Sequence, residues 1–305
     1  DDIGCLQTLP YKDYEKLREK GIKCLVFNPF VPFLSVIMNN RDHRKITIID
    51  GHTAFTGGIN LADEYINEIV RFGHWKDASI VLKGEAVWNL TIMFLQAWQF
   101  TCGEKEDYEK YRPAVNYIGE FASDGYVQPY GDTPLDDEAV GEYVYLNIIN
   151  KAKDYIYINT PYLIVDNELV TALTLAAKSG VDVIIVTPHI EDKWYVHLVT
   201  RAYYAQLIEA GIKIYEYTPG FIHSKTFVSD DKIGVVGTIN MDYRSLYLHF
   251  ENGVLLYKTK SVMEIKEDFI ETLKVCQRIS IEDCNRIKWS NKFITSILRV
   301  FAPLM

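Results

Sequence analysis

The sequence predicts an α/β chain of two pseudo-symmetric lobes, each a mixed, mostly parallel sheet between helices, with the first lobe lacking its N-terminal part. Three observations predict it. The pattern H-x-K-x-x-x-x-D occurs twice, from His43 to Asp50 and from His223 to Asp230. Each copy is followed at one offset by a small-residue turn and an asparagine, Gly57-Gly58-Ile59-Asn60 and Gly237-Thr238-Ile239-Asn240. The second copy is also preceded by a strand–helix–strand pattern, which calls for a parallel crossover with helices on the sheet faces. Units this long make lobes, not a solenoid. Residues 1–125 are expected to form the first lobe, and residues 126–305 the second, ending in a C-terminal helix.

Element by element, Tyr11 to Lys20 has a helical pattern and Gly21 to Pro29 reads as a strand, answering Trp194 to Ala210 and Gly211 to Pro219. The motif strand follows, then a hairpin turn (Asp50-Gly51-His52; Asp230-Asp231-Lys232) and a strand ending in the small-residue turn. A further strand and helix close each unit: Ala78 to Leu82 with Glu85 to Thr101, and Gly253 to Tyr257 with Ser261 to Arg278. In front of the second unit, Tyr155 to Asn159 and Val181 to Val186 read as buried strands. They flank a helix from Asn167 to Ser179 that Gly180 caps. Asp1 aligns near Glu191, so about two strands and two helices are expected upstream of the first unit. Gly103 to Asp137, rich in Gly, Pro, Asp and Tyr, reads as the connection between lobes.

With 48% hydrophobic residues and a mean hydropathy near zero, the 305-residue chain carries enough apolar surface for a core. A net charge of −9 weighs against nucleic acid as a partner, and none is expected. The five cysteines, with no C-x-x-C spacing, argue against a disulfide framework or zinc site and fit a reducing compartment. The chain opens at Asp1-Asp2-Ile3-Gly4, without Met or signal pattern, and reads as a cut inside a longer protein. Its longest apolar stretch, Cys24 to Met38, is interrupted by Asn28, Pro29 and Pro32 and does not suffice to span a bilayer.

The doubled motif carries the chemistry. On a strand, positions i and i+2 share a face, so His43 projects with Lys45 and His223 with Lys225. Attack on a phosphodiester requires a nucleophile, an acid for the leaving alkoxide, and positive charge on the non-bridging oxygens. Two H-x-K units supply all three: one histidine attacks phosphorus, the other protonates the leaving oxygen, and the lysines hold the equatorial oxygens. Asp50 and Asp230 complete the repeated catalytic signature, but their opposite parity gives them a supporting part. Asn60, Asn240, Gly58 and Thr238 are expected at the phosphate, the glycines at 57, 58 and 237 letting backbone approach it. Each histidine needs a carboxylate on its far nitrogen, and Asp77 and Glu251 are the candidates. No metal or other cofactor is expected.

The flanking words sharpen this. Asn40-Arg41-Asp42-His43-Arg44-Lys45, Thr56 to Tyr65, Pro219 to Lys225, Asn240-Met241-Asp242-Tyr243-Arg244-Ser245 and the closing Phe301 to Met305 resemble bacterial cardiolipin synthases of the phospholipase D superfamily, over nearly the whole chain. The resemblance implies an α/β/α sandwich around one active site. It implies transfer of a phosphatidyl group from one phosphatidylglycerol to a second, releasing glycerol and making cardiolipin. His43 is then the nucleophile, forming a phosphohistidine, and His223 the acid/base. It also implies a protein of the bacterial cell membrane, anchored by transmembrane helices outside this chain, of which the chain is the soluble catalytic part.

One asymmetry between the repeats bears on the partner. His43 follows Pro29 by fourteen positions, whereas His223 follows Pro219 by four. The extra residues lie in the apolar Phe30–Met38 segment, which either packs in the core or forms a rim contacting the membrane surface. The C-terminal Trp289, Phe293, Ile294, Ile297, Leu298 and Phe301 at helical spacing offer the same alternatives. The rival functions are a lipid-hydrolysing phospholipase D, a phosphodiesterase-type nuclease and a non-catalytic lipid-binding module.

Overall fold

The computed structural model describes residues 9–29, 39–114, 124–286 and 298–299. The Phe30–Met38 segment and most of the expected C-terminal helix lie outside the described residues.

The first lobe begins with a short helix, Tyr14–Glu19, and its strands are β1 (Ile46–Ile49), β2 (Thr53–Gly57), β3 (His74–Lys76) and β4 (Ser79–Lys83). Helix Val87–Cys102 follows, ended by Gly103 at φ 73. The second lobe contributes β5 (Tyr126–Asp132), helix Val140–Lys151, β6 (Tyr155–Asn159), β7 (Leu163–Ile164), helix Asn167–Lys178, β8 (Asp182–Pro188), helix Trp194–Glu209, β9 (Lys213–Tyr217) and β10 (Gly220–Ile222). It continues through β11 (Thr226–Ser229), β12 (Ile233–Gly237), β13 (Met241–Asp242), helix Tyr243–Tyr247, β14 (Glu251–Tyr257), helix Lys260–Leu273, β15 (Cys276–Arg278) and helix Ile281–Asn285.

Local chemistry explains the boundaries. Asp166 caps Asn167–Lys178 by accepting from the Leu169 amide at 2.9 Å, and Gly180 leaves that helix at φ 97. The motif hairpins turn through left-handed backbone at Asp50 and Gly51 and at Asp230 and Asp231. Aspartate and glycine tolerate that region, and the tight turn makes β1–β2 and β11–β12 antiparallel.

An eight-stranded sheet, ordered β15-β9-β8-β6-β11-β12-β14-β5, forms the centre. Parallel pairing is confined to β6–β8–β9, where the expected crossover helices join the strands. The other pairings in this sheet are antiparallel, so the sheet is mixed but not mostly parallel: hairpins, not crossovers, connect the motif strands. One face is covered by Val140–Lys151, Asn167–Lys178 and Trp194–Glu209, with Ile156, Ile158, Val183, Ile185 and Phe227 in the shared core. On the other face Phe269 of the Lys260–Leu273 helix packs with Ile184 and Val186. Beside it the three-stranded β1-β2-β4 sheet is laid on the same face, where Ala54 and Leu82 share a core with Val228, Val254 and Leu256. The lobes are therefore packed into one another.

Three expected elements differ. Gly21 to Pro29 forms no strand, since no described strand lies beside it to complete a ladder. The helix expected through Arg278 stops at Leu273, and Cys276–Arg278 instead pairs antiparallel with the edge of β9. The connection between lobes contains β5, which pairs with all of β14. Leu298 packs against the second-lobe core and Arg299 sits 4.8 Å from the Tyr203 ring, which is the core-packing alternative at those two residues.

Candidate active site

Both H-x-K triplets lie just before their strands, not within them: β1 starts at Ile46 and β11 at Thr226. Each triplet is instead fixed by the other lobe. β10 runs parallel to β3, with Phe221 opposite Trp75 and Ile222 opposite Lys76, and the His223 amide then donates to Lys76 O at 2.7 Å. The same arrangement recurs at the other triplet. Asp42 forms a parallel bridge with Phe250, the Phe250 amide donates to Arg41 O at 2.8 Å, and the His43 amide donates to Phe250 O at 2.9 Å.

One step further along each ladder stand the carboxylates. His43 Nδ1 lies 2.9 and 3.0 Å from the two Glu251 oxygens, and His223 Nδ1 lies 2.7 Å from Asp77 Oδ2. Asp77 and Glu251 are thus the expected histidine partners, and the pairing is crossed between lobes. With each Nδ1 facing a carboxylate, it carries the proton and Nε2 presents its lone pair.

Burial pushes the His43 imidazole down to about 4 and His223 to about 3. Burial likewise lowers Lys45 to about 8 and Lys225 to about 7. Asp77 and Glu251 are both lowered although burial alone would raise them, chiefly by the charge of their imidazole partners. The Lys45 charge also lowers His223 and Lys225, so the two motifs form one electrostatic site. Lys45 Nζ donates to His43 O at 2.6 Å, and Lys225 Nζ donates to His223 O. Each ammonium keeps further hydrogens for an anion. The two histidines differ in access: the His43 side chain is 26% exposed, that of His223 9%.

The remaining candidates divide. Asp230 accepts from the backbone amides of Lys153, Asp154 and Tyr155, tying the β11–β12 hairpin to β6. Asp50 occupies the equivalent left-handed turn. A residue at the turn is carried to the far end of the strand from the histidine. Thr238 Oγ1 donates to Glu251, so it orients the carboxylate. A Cβ on Gly58 would lie 2.1 Å from Asp77 Oδ1, and one on Gly57 or Gly237 would strike the neighbouring strand. These glycines make room for a carboxylate and for neighbouring backbone. The Asn60 amide donates to Tyr65 OH, and the Asn240 side chain bonds Asp242.

Apart from Arg244, sequence reasoning missed the surroundings. Tyr65 sets its ring edge-on to His223 at 5.5 Å, and the Trp75 ring lies 5.2 Å from the same imidazole. The His249 ring lies 5.7 Å from His43, and Arg244 Nε donates to His249 Nε2 at 3.3 Å. Arg41 stands two residues before His43, and parity alone would have placed it on the same face. Ligand atoms of His43, His249 and Glu251 converge within 4.8 Å, as do those of Glu142, Asp166 and Glu168. Glu251 already serves His43 and Thr238, and His249 Nε2 serves Arg244, so the first group is a hydrogen-bond network before it is a ligand set. A cavity of about 660 Å³ reaches the Asp42–Phe250 ladder through Arg44 and Phe250, whose parity is opposite to that of His43 and Glu251. It lies off the catalytic face, lined also by Trp88, Met93 and Phe100.

Against known proteins, a family model described as cardiolipin synthase, PLD-like domain, matches residues 145–273. An uncharacterized protein of Streptococcus mutans serotype c is 51% identical over 98% of this chain and 64% of its own length. A cardiolipin synthase of Halalkalibacterium halodurans is 38% identical over 95% of this chain and 58% of its own length. The chain therefore spans under two thirds of each relative. The crystal structure of phosphatidylserine synthase from Haemophilus influenzae matches with a TM-score of 0.61 at 13% identity, covering 86% of this chain and 69% of that one. At that identity the likeness concerns the fold.

Proposed function

We propose that this chain is a member of the phospholipase D superfamily and the catalytic part of a phosphatidyltransferase of the cardiolipin synthase type. It moves a phosphatidyl group between two phosphatidylglycerol molecules. The observation that carries this reading is the pair of crossed histidine–carboxylate contacts, His43–Glu251 and His223–Asp77, with Lys45 and Lys225 in the same field.

His43 is neutral at physiological pH, as a nucleophile must be, and it is the more open imidazole. Its Nε2 lone pair attacks phosphorus, the bond to the glycerol oxygen breaks, and the leaving alkoxide takes a proton from His223. The anionic diester itself raises His223 towards protonation, and Asp77 stabilises the imidazolium. In the second half-reaction the hydroxyl of the other phosphatidylglycerol gives its proton to the now neutral His223 and attacks phosphorus. The P–N bond breaks and His43 is restored. Lys45 and Lys225 hold the non-bridging oxygens throughout. The likeness to cardiolipin synthases favours a lipid hydroxyl over water as acceptor, and with it a membrane surface as the place of reaction. No helix among the described residues is long and apolar enough to cross a membrane.

The test is acid-free quenching of the full-length protein with phosphatidylglycerol, followed by mass analysis of peptides and lipids. A phosphatidyl adduct on His43 and cardiolipin as product are expected, both lost in His43→Ala. Phosphatidic acid without cardiolipin would establish a hydrolase instead. Absence of any adduct in the quenched wild type would refute the covalent route.

A further inference from the structure

The two crossed ladders are equivalent in backbone and opposite in side-chain character. In the His223 ladder, the positions two before the histidine and two before the carboxylate are Phe221 and Trp75, stacked with ring centroids 5.0 Å apart. The corresponding positions in the His43 ladder are Arg41 and His249, placed opposite one another by the Asp42–Phe250 bridge. Arg244 joins them through its bond to His249, and the Arg41 charge acts on the Arg244 guanidinium. One end of the site is thus an aromatic wall and the other a cationic corner.

Carboxylates near this corner are already committed. Glu251 faces His43 and Thr238, Asp242 accepts from the Ser245 amide and Asn240, and Asp42 pairs with Arg44. Among the described residues, buried Arg41 Nε has no hydrogen-bond partner. A buried guanidinium nitrogen without a partner is costly unless an anion satisfies it.

We propose that Arg41, with Arg244 and His249, forms a second anion site that binds the phosphodiester of the acceptor molecule. This rests on the transfer reaction proposed above and names what selects its acceptor. Arg41 and His43 lie two residues apart on one face, about 7 Å apart along the backbone, which sets an anion held at Arg41 beside the phosphorus on His43. In phosphatidylglycerol a three-carbon glycerol separates the phosphate from the terminal hydroxyl, a comparable reach. The cationic corner therefore directs that hydroxyl at the phosphohistidine, and water or a plain alcohol gains nothing from it.

The experiment measures product ratios within one reaction, so that the amount of folded enzyme cancels. Full-length wild type, Arg41→Gln and Arg41→Lys are given phosphatidylglycerol as donor, with ethanol and water-soluble glycerophosphoglycerol as added acceptors. Products on phosphatidylglycerol and on glycerophosphoglycerol are expected to fall about tenfold relative to phosphatidylethanol in Arg41→Gln, the usual effect of losing one charge-assisted contact. Arg41→Lys restores part of the ratio. An unchanged ratio overturns the proposal, as does a fall on the lipid acceptor alone, which would mean that acyl chains are recognised. Loss of all three products in both variants also overturns it, placing Arg41 in the donor step. Wild type that makes no cardiolipin fails the underlying reading; wild type that makes it while Arg41→Gln keeps the ratio fails the Arg41 site alone.

Discussion

Burial holds both motif imidazoles neutral, His43 at about 4 and His223 at about 3, although each faces a carboxylate. An imidazole with a lower pKa folded than unfolded binds fewer protons in the native state once the pH drops below its unfolded value of about 6.5. Above that pH the two states are equally neutral and the group contributes nothing. From about 6.5 down to the folded values the fold loses stability, at up to about 1.4 kcal/mol per pH unit for each group. Asp77 and Glu251 act lower: burial works against them, but their imidazole partners keep both depressed, so their stabilisation is present above about 4 and is lost as pH falls further. Chemical denaturation between pH 7.5 and 4.5 therefore shows stability falling with acid. In His223→Asn that slope is shallower, by up to about 1 kcal/mol per pH unit. A slope identical to wild type would mean that His223 titrates normally in the fold.

At the scale of elements, the site is made by two short parallel ladders between segments 208 and 146 residues apart. Gly58 is what lets the second one deliver its carboxylate. A Cβ there meets Asp77 Oδ1 at 2.1 Å, while the backbone of Gly58 has no left-handed requirement. Gly58→Ala should therefore push Asp77 off His223, lowering transfer about tenfold or more. Overpacking costs stability of about 1–3 kcal/mol. Initial rates and thermal melting measured together check this; full activity at reduced stability would leave Gly58 a packing residue only. These ladders mark where sequence reading stops. The helix Asn167–Lys178, with its Asp166 cap and 3.6-residue periodicity, was legible because its causes are local. So were β6 and the hairpin turns at Asp50 and Asp230. The duplication even indicated Asp77 and Glu251. Which carboxylate serves which histidine was not legible, since cross-lobe pairing leaves no local pattern. The same holds for β15, whose Cys276–Arg278 extends a helical period and becomes strand only because β9 has an open edge. The contacts of Gly58 and Thr238 were not legible for a related reason: sequence places them near the histidines, but only packing shows that they face carboxylates.

On the whole-molecule scale, a chain of net charge −9 gathers Lys45, Lys225, Arg41 and Arg244 at its site, and its two lobes share one core. Such a molecule is repelled at long range by an anionic bilayer, with the repulsion screened beyond about 10 Å at 0.1 M salt. The docking that the proposed reaction requires must then draw on apolar contact, and the first lobe's extra Phe30–Met38 segment, just before the histidine ladder, is the sequence's own candidate. Burying one large apolar side chain is worth roughly 1.5–3 kcal/mol. Replacing both Phe33 and Leu34 with Ser should accordingly weaken vesicle binding of the chain by about a hundredfold or more, with melting unchanged. Raising the salt should leave wild-type binding equal or stronger, because it screens repulsion and has no polybasic attraction to weaken. Co-sedimentation with phosphatidylglycerol vesicles at two salt concentrations, beside a thermal melt, separates the alternatives. Binding that survives the double substitution while the melt drops places the segment in the core. Binding that weakens steeply with salt instead assigns docking to the cationic site and not to the apolar rim.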